Sequence, residues 1–367
     1  MNAPEWRTLG DPIGDGPSYY EHVRHLLRSS DSGPPPGDGF PGPDSHTADR
    51  PRSPTGSDLD ALLGALSGVL TDWPPSREML LRLDELLRQL HLMHERGELR
   101  ARILARDDFS EDRLRTLGRW LARTGAHIGA VELGLLLLGI AGNDDDRDTI
   151  LTLSLLEGPC CCAADALAGS QSRPYEALFE MARKRTGWAR IDAITHMRGA
   201  TVDRHIKDWL VREACEGSFL DVYIADIVAE TGDLAAALTT APADDDVLNG
   251  AGWILIAMCD REFPTTSILT FSAAETILTA YAQRVLARPP TLRRLQTLMF
   301  VDDFLRSDQA ERAQWSHRLP VIRGLYQSVL SSPFAHQAIA IGLKATDPAT
   351  AGLARSLAEL LDLPDAP

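Results

Sequence analysis

The sequence predicts an all-α protein: an α-solenoid of stacked antiparallel helix pairs behind a Pro/Gly-rich N-terminal segment. Three observations carry that expectation. From Ser57 nearly to the C-terminus, apolar residues recur at steps of three and four, the period of an amphipathic helix. Gly, Pro and Asp punctuate this pattern at short intervals, as helix ends require. Ala and Leu are abundant, while aromatic residues make up only 6% of the chain, a balance that favours helices over sheets. The one mildly β-like run, FPTTSILTF at 263–271, contains Pro264 and reads equally well as a loop or short helix.

Residues 17–29 predict a short helix with Tyr19, Val23, Leu26 and Leu27 on one face. The stretch 31–57 then holds seven Pro and five Gly in 27 residues. It has too little apolar surface to offset the entropy of ordering, so 1–56 is expected to be a short helix plus a flexible linker. Leu80, Leu83, Leu87, Leu90 and Met93 predict a helix over 77–96, with Ser76 as its N-cap and Gly97 as its stop. Ser110 caps a second helix over 111–123, carrying Leu114, Leu117 and Leu121. Helix pairs follow at 146–157 with 160–170, 175–187 with 188–199, and 203–217 with 218–232. Further helices are expected at 245–259, 273–287, 291–306, 309–330, 334–344 and 348–362, with Pro289–Pro290 as a break. The predicted organisation is repeats over 57–290 and an extension of the same array over 291–367.

The second helix of each middle pair carries a small-residue block around an Asp: ADAL at 164–167, IDAI at 191–194 and ADIV at 225–228. Asp165, Asp192 and Asp226 are spaced by 27 and then 34 residues. A period near 30 residues built from two helices marks an α-solenoid. With Asp146–Arg147 entering a helix, the stretch 111–260 resembles the HEAT-like repeat family, in particular its short, irregular bacterial members. The resemblance implies a superhelical array that binds a partner on its concave helix face.

Composition narrows the function. A net charge of −15 disfavours a general binder of nucleic acid, whose affinity comes from Lys/Arg neutralising phosphates. The first 16 residues lack the basic and apolar regions of a signal peptide, and the run GLLLLGIAG at 134–142 is too short to span a bilayer. With five cysteines, three of them adjacent, and no disulfide framework, a reducing cytoplasm is the expected location and no membrane is involved.

Cys160, Cys161 and Cys162 fall on one predicted helix, where successive side chains project about 100° apart. They lack the paired Cys-x2-Cys spacing of a zinc site, so small buried fillers are expected; a reactive thiol at the first helical turn is the alternative. His91, His94, Glu95 and Glu98 could share one helix face and bind a metal, although Gly97 argues for a solvated helix end. The acidic runs 144–148 and 244–246 open helices and read as caps rather than calcium loops. No metal and no cofactor is expected.

Charge is segregated. From Arg183 to Arg212 there are eight Lys/Arg against three Asp; from Phe219 to Ala280 there is one basic residue against ten acidic ones. The candidate binding patch is Arg183, Lys184, Arg185, Arg190, Asp192, His196, Arg198, Arg204 and Lys207. Solvated faces are the plainer explanation. Some HEAT-like proteins are DNA glycosylases, and the resemblance nominates Trp188, Asp192 and Trp209 for such a role; periodicity instead assigns both tryptophans to the core. Asp192 and His196, four residues apart, could form an acid–base pair. No G-x-S-x-G elbow, P-loop, H-E-x-x-H or G-x-G-x-x-G is found. The expected function is therefore a non-catalytic scaffold for a protein or peptide, with a nucleic-acid-binding or glycosylase-like role for the 183–212 patch as the alternative.

Overall fold

The computed structural model describes residues 5–13, 16–29, 39–43, 51–240, 243–263, 267–361 and 363. Among them the chain is all-helical, with isolated parallel bridges at Phe40–Leu156 and Arg52–Leu90 in place of strands. It divides into two compact units, Met1–Met197 and Arg198–Pro367, a boundary that falls inside the 57–290 span expected to be continuous.

The first unit contains α1 (Tyr19–Ser29), α2 (Gly56–Thr71), α3 (Arg77–Arg88), α4 (Arg96–Leu104), α5 (Glu111–Thr124), α6 (Ile128–Ala141), α7 (Arg147–Leu153), α8 (Cys160–Ser170), α9 (Pro174–Lys184) and α10 (Gly187–Thr195). Caps set many of the starts. Thr55 and Asp58 form a capping box on α2, Ser76 accepts from Met79 N, and Asn143 with Asp146 makes a second box before α7. Each such cap contributes about 1 kcal/mol. Ser110 occupies the N-cap position of α5 without a side-chain hydrogen bond.

The helix expected over 77–96 is shorter than its leucine pattern. It ends at Arg88, and Gly97 lies within the first turn of α4. Backbone pairing takes the chain away: Arg52 N donates to Gln89 O at 3.0 Å and His91 N to Arg52 O at 2.9 Å. Tertiary partners here outweigh helical propensity. Likewise, the expected 309–330 helix is divided, because Pro320 belongs in the first turn of a new helix at Leu319.

The centre of this unit is α6, with 12 of its 14 residues buried. A helix apolar all round must be enclosed by other elements, and α5, α8, α3 and α4 all pack against it. Close approach depends on glycine: a Cβ on Gly169 would lie 2.2 Å from Gly139 O, and one on Gly134 2.6 Å from Ala122 N. α8 in turn packs on α10, with α9 against both.

Parts of the Pro/Gly-rich stretch are held in place. Phe40 N donates to Leu155 O at 2.9 Å and Glu157 N to Phe40 O at 3.0 Å. Gly39 has φ +107°, and the Arg185 guanidinium lies 2.5 Å from where its Cβ would be, so only glycine suits the position. Residues 30–38 and 44–50 of the expected linker lie outside the described residues, as do 264–266 of the β-like run, which continues as a 3-10 turn at Ser267–Leu269.

The second unit contains α11 (Arg204–Glu213), α12 (Ala225–Thr231), α13 (Leu234–Thr239), α14 (Asp245–Met258), α15 (Ala274–Leu286), α16 (Leu292–Leu305), α17 (Asp308–Glu311), α18 (Leu319–Leu330), α19 (Pro333–Leu343) and α20 (Pro348–Leu360). Asp244 caps α14 by accepting from Val247 N, as the acidic run predicts. In this unit α14 packs on α11 and α16, α16 on α18 and α20, and α15 on α13 and α18. No described helix is long and apolar enough to cross a membrane.

Candidate functional site

In the first unit, α4, α6, α8 and α10 bring a set of polar side chains to one end of α8. Glu132, on the otherwise apolar α6, is fully buried. Its Oε2 accepts from Leu92 N at 2.6 Å, and its Oε1 lies 2.7 Å from His91 Nδ1. A buried carboxylate persists only when paired and hydrogen-bonded. The Glu132 carboxylate beside it raises the His91 pKa; burial opposes this and the nearby negative charges support it.

Asp165, in the first of the Asp blocks, accepts from Arg96 Nε and from His196 Nε2, both at 2.8 Å. Burial pushes the Asp165 pKa up, but these two partners outweigh it and hold the carboxyl below its ordinary value. Asp192, in the second block, takes the Cys160 thiol at 3.4 Å. Its pKa is raised, because burial exceeds the help from Cys160 and Arg96. The acid–base pair of Asp192 with His196 is thus replaced by two separate partnerships. α10 ends at Thr195, and from the C-cap position the His196 ring reaches Asp165 on α8.

All three adjacent cysteines are buried free thiols, in line with the filler expectation, yet their surroundings differ. Burial beside Asp192 pushes the Cys160 thiol up. The two neighbouring thiols act on each other in opposite directions, raising Cys162 and lowering Cys161; burial opposes the lowering and Arg96 assists it. A water-sized cavity of about 30 Å³ borders Arg96, Arg100, Cys162 and Asp165.

The metal face expected from His91, His94, Glu95 and Glu98 does not form. Residues 91–95 are non-helical, with a turn at 93–95; His91 pairs with Glu132, and Glu98 on α4 pairs with Arg102. Glu132 and Arg96 are the members the sequence pattern passed over. A single carboxylate in IGAVELGLLLLGIA is the signal that marks Glu132.

The candidate basic patch divides between the units. In the first, Arg183 is exposed over the Phe179 ring, Lys184 pairs with Glu180 at 2.7 Å, and Arg185 is buried with Nη1 donating to Leu155 O. Arg190 Nε donates to Arg185 O. In the second, Arg198 pairs with Asp226, Lys207 with Asp233 and Arg204 with Asp208. Arg212 makes a two-pronged contact with Asp244. Cations paired in this way are poorly placed to neutralise phosphates. Trp209 is buried as expected, but Trp188 is 48% exposed. It sits in the first turn of α10, off the face that buries Ala189, Ile191, Ala193 and Ile194.

The second unit also holds an open groove of about 910 Å³ between α16, α18, α19 and α20. Its apolar lining includes Met299, Phe300, Leu330, Leu353 and Leu357. Leu360, 71% exposed, and Phe300 are exposed lining residues; Asp303 pairs with Arg261, and Asp302 is buried against Arg306. Together the fold and these sites define an all-α protein with a buried thiol–carboxylate cluster and a helix-lined groove. No family model, curated protein or solved structure matches the chain.

Proposed function

We propose that this chain is a non-catalytic helical-repeat scaffold, an α-solenoid of HEAT-like type, that holds a basic amphipathic helix of a partner protein in the α16–α20 groove. Packing of α13 on α15, α14 on α16 and α16 on α18 in the second unit is what supports the repeat arrangement. The groove carries the functional reading. Leu353, Leu357 and Leu360 lie on one side of α20 at steps of four and three, complementary to a helix that presents apolar anchors with the same spacing. Asp303, exposed at the edge and shared with Arg261, favours a cationic flank, whereas Asp302 is buried against Arg306.

The test is fluorescence anisotropy of the full chain with a synthetic helix carrying Leu on one face and Lys on the other. A matched helix with Glu in place of Lys serves as the control. The Lys helix should bind with a dissociation constant of about 10 µM. Phe300→Asp and Leu360→Asp change exposed side chains and should each weaken binding at least tenfold, the effect of losing an anchor worth about 2 kcal/mol. Equal binding of both helices, or of both variants, would refute the proposal.

A further inference from the structure

Building on the groove reading, on which the assignment rests, we propose that Arg261 is a built-in competitor for the guest helix: it holds Asp303 in the free chain and yields that carboxylate to a cation of the partner. Two carboxylates line the groove, Asp302 and Asp303 on α16. Both are already paired, so neither offers free negative charge to a guest. The two pairs differ in how readily they open. Asp302 is buried, and its Oδ2 accepts from both Nε and Nη2 of Arg306, one helical turn away. Parting them would strand a buried charge, which is strongly unfavourable. Asp303 is exposed, and Arg261 Nη2 reaches its Oδ2 at 2.5 Å from a loop 42 residues earlier in the chain. The Arg261 and Asp303 side chains are 46% and 66% exposed. An ion pair so open to water contributes little by itself, because water or another ion replaces either member at small cost.

The loop is built to present this one cation. Asp260 Oδ1 accepts from Glu262 N at 2.9 Å, and the Phe263 ring meets Tyr223 edge to face with centroids 4.9 Å apart. Arg261, between these two fixed points, is the one Lys or Arg from Phe219 to Ala280. Asp260 and Glu262 flank it in sequence, so a guanidinium that leaves Asp303 keeps opposite charge beside it. A partner's Lys or Arg therefore gains Asp303 by exchange, one ion pair for another. The affinity of a cationic helix is lowered by the factor that the internal pair contributes, and that of an uncharged helix is left alone. Arg261 thus sets how strongly the groove distinguishes a basic helix from a neutral one.

The experiment measures anisotropy of the Lys-faced helix, and of a matched helix with Gln in place of Lys, on the full chain and on Arg261→Ala, Arg261→Lys, Asp303→Asn and the double variant Arg261→Ala/Asp303→Asn. Far-UV circular dichroism reports the fold of each; both residues are exposed. At low salt Arg261→Ala should bind the Lys helix about threefold more tightly than wild type, and the gain should shrink as salt screens the charges. Arg261→Lys should restore wild-type affinity, and the Gln helix should bind wild type and Arg261→Ala alike. In the Asp303→Asn background the gain from Arg261→Ala should vanish, because the carboxylate being contested is gone. Equal binding of the Lys helix to wild type and Arg261→Ala, or a gain that persists in the Asp303→Asn background, would overturn the role of Arg261 and leave the groove reading standing. A Lys helix that binds none of these chains would overturn both.

Discussion

Replacing Glu132 tests whether the buried contact with His91 is a charged pair. The carboxylate is fully buried, with Leu92 N at 2.6 Å and His91 Nδ1 at 2.7 Å as its partners. Glu132→Ala removes both acceptors at once, leaving a buried N–H unmatched and a cation without its counter-charge. Breaking a buried pair in this way costs about 3–5 kcal/mol. Glu132→Gln keeps an oxygen for Leu92 N and loses only the charge, a change of about 1–2 kcal/mol. The two variants should therefore separate by about 1–4 kcal/mol, a factor of roughly 5 or more in local opening.

The pH dependence has a defined sign. The folded-state pKa of His91 is raised above its unfolded value of about 6.5. The pair's contribution is fully present below that value and is lost as pH rises through the folded one. The deficit of Glu132→Gln should accordingly be larger at pH 6 than at pH 9. Because the chain has two compact units, a single global midpoint is a poor readout. Hydrogen exchange at Leu92 and along α6 reports the first unit locally. An equal deficit at both pH values would refute the charged pair.

Two further outcomes follow from the same unit. Gly169→Ala places a methyl 2.2 Å from Gly139 O, so α6 and α8 must separate; a loss of about 1–3 kcal/mol in protection from hydrogen exchange along α6 and α8 is expected, whereas Gly64→Ala in α2, where a Cβ meets open space, should not destabilise. Asp165 has a lowered folded-state pKa, so its stabilisation is present above pH about 4 and fades as pH falls through the folded value; the difference between Asp165→Asn and wild type should be clear at pH 7 and vanish in strong acid.

Much of the helical layout was legible because period and caps agreed. The helix at Cys160–Ser170 matches the expected span, and α14, α15 and α16 begin within one residue of it. The misplaced stop at Gly97 shows the limit. Nothing local distinguishes residues 89–95 from more helix; the bridge from Arg52 and the carboxylate of Glu132 end it, and both are distant in sequence. The site was legible in fragments. The Asp blocks were visible in the sequence, but only the fold shows that Asp165 and Asp192 serve His196 and Cys160 across neighbouring helices. The charge run at 183–212 was read correctly as a count of residues. Its partners Glu180, Asp226, Asp233 and Asp244 lie outside the run, which is why the count overstated the available positive charge. The groove left no sequence signal, since leucines facing a neighbour and leucines facing a vacant slot follow the same period.

The enclosure of α6 bears on how the chain can be shortened. Leu133, Leu135, Leu137 and Leu138 are fully shielded, and the shielding comes from helices before and after them in sequence. A fragment ending ahead of α8 would present this greasy rod to water and aggregate. Expression of a fragment of the first unit therefore has to extend through α8.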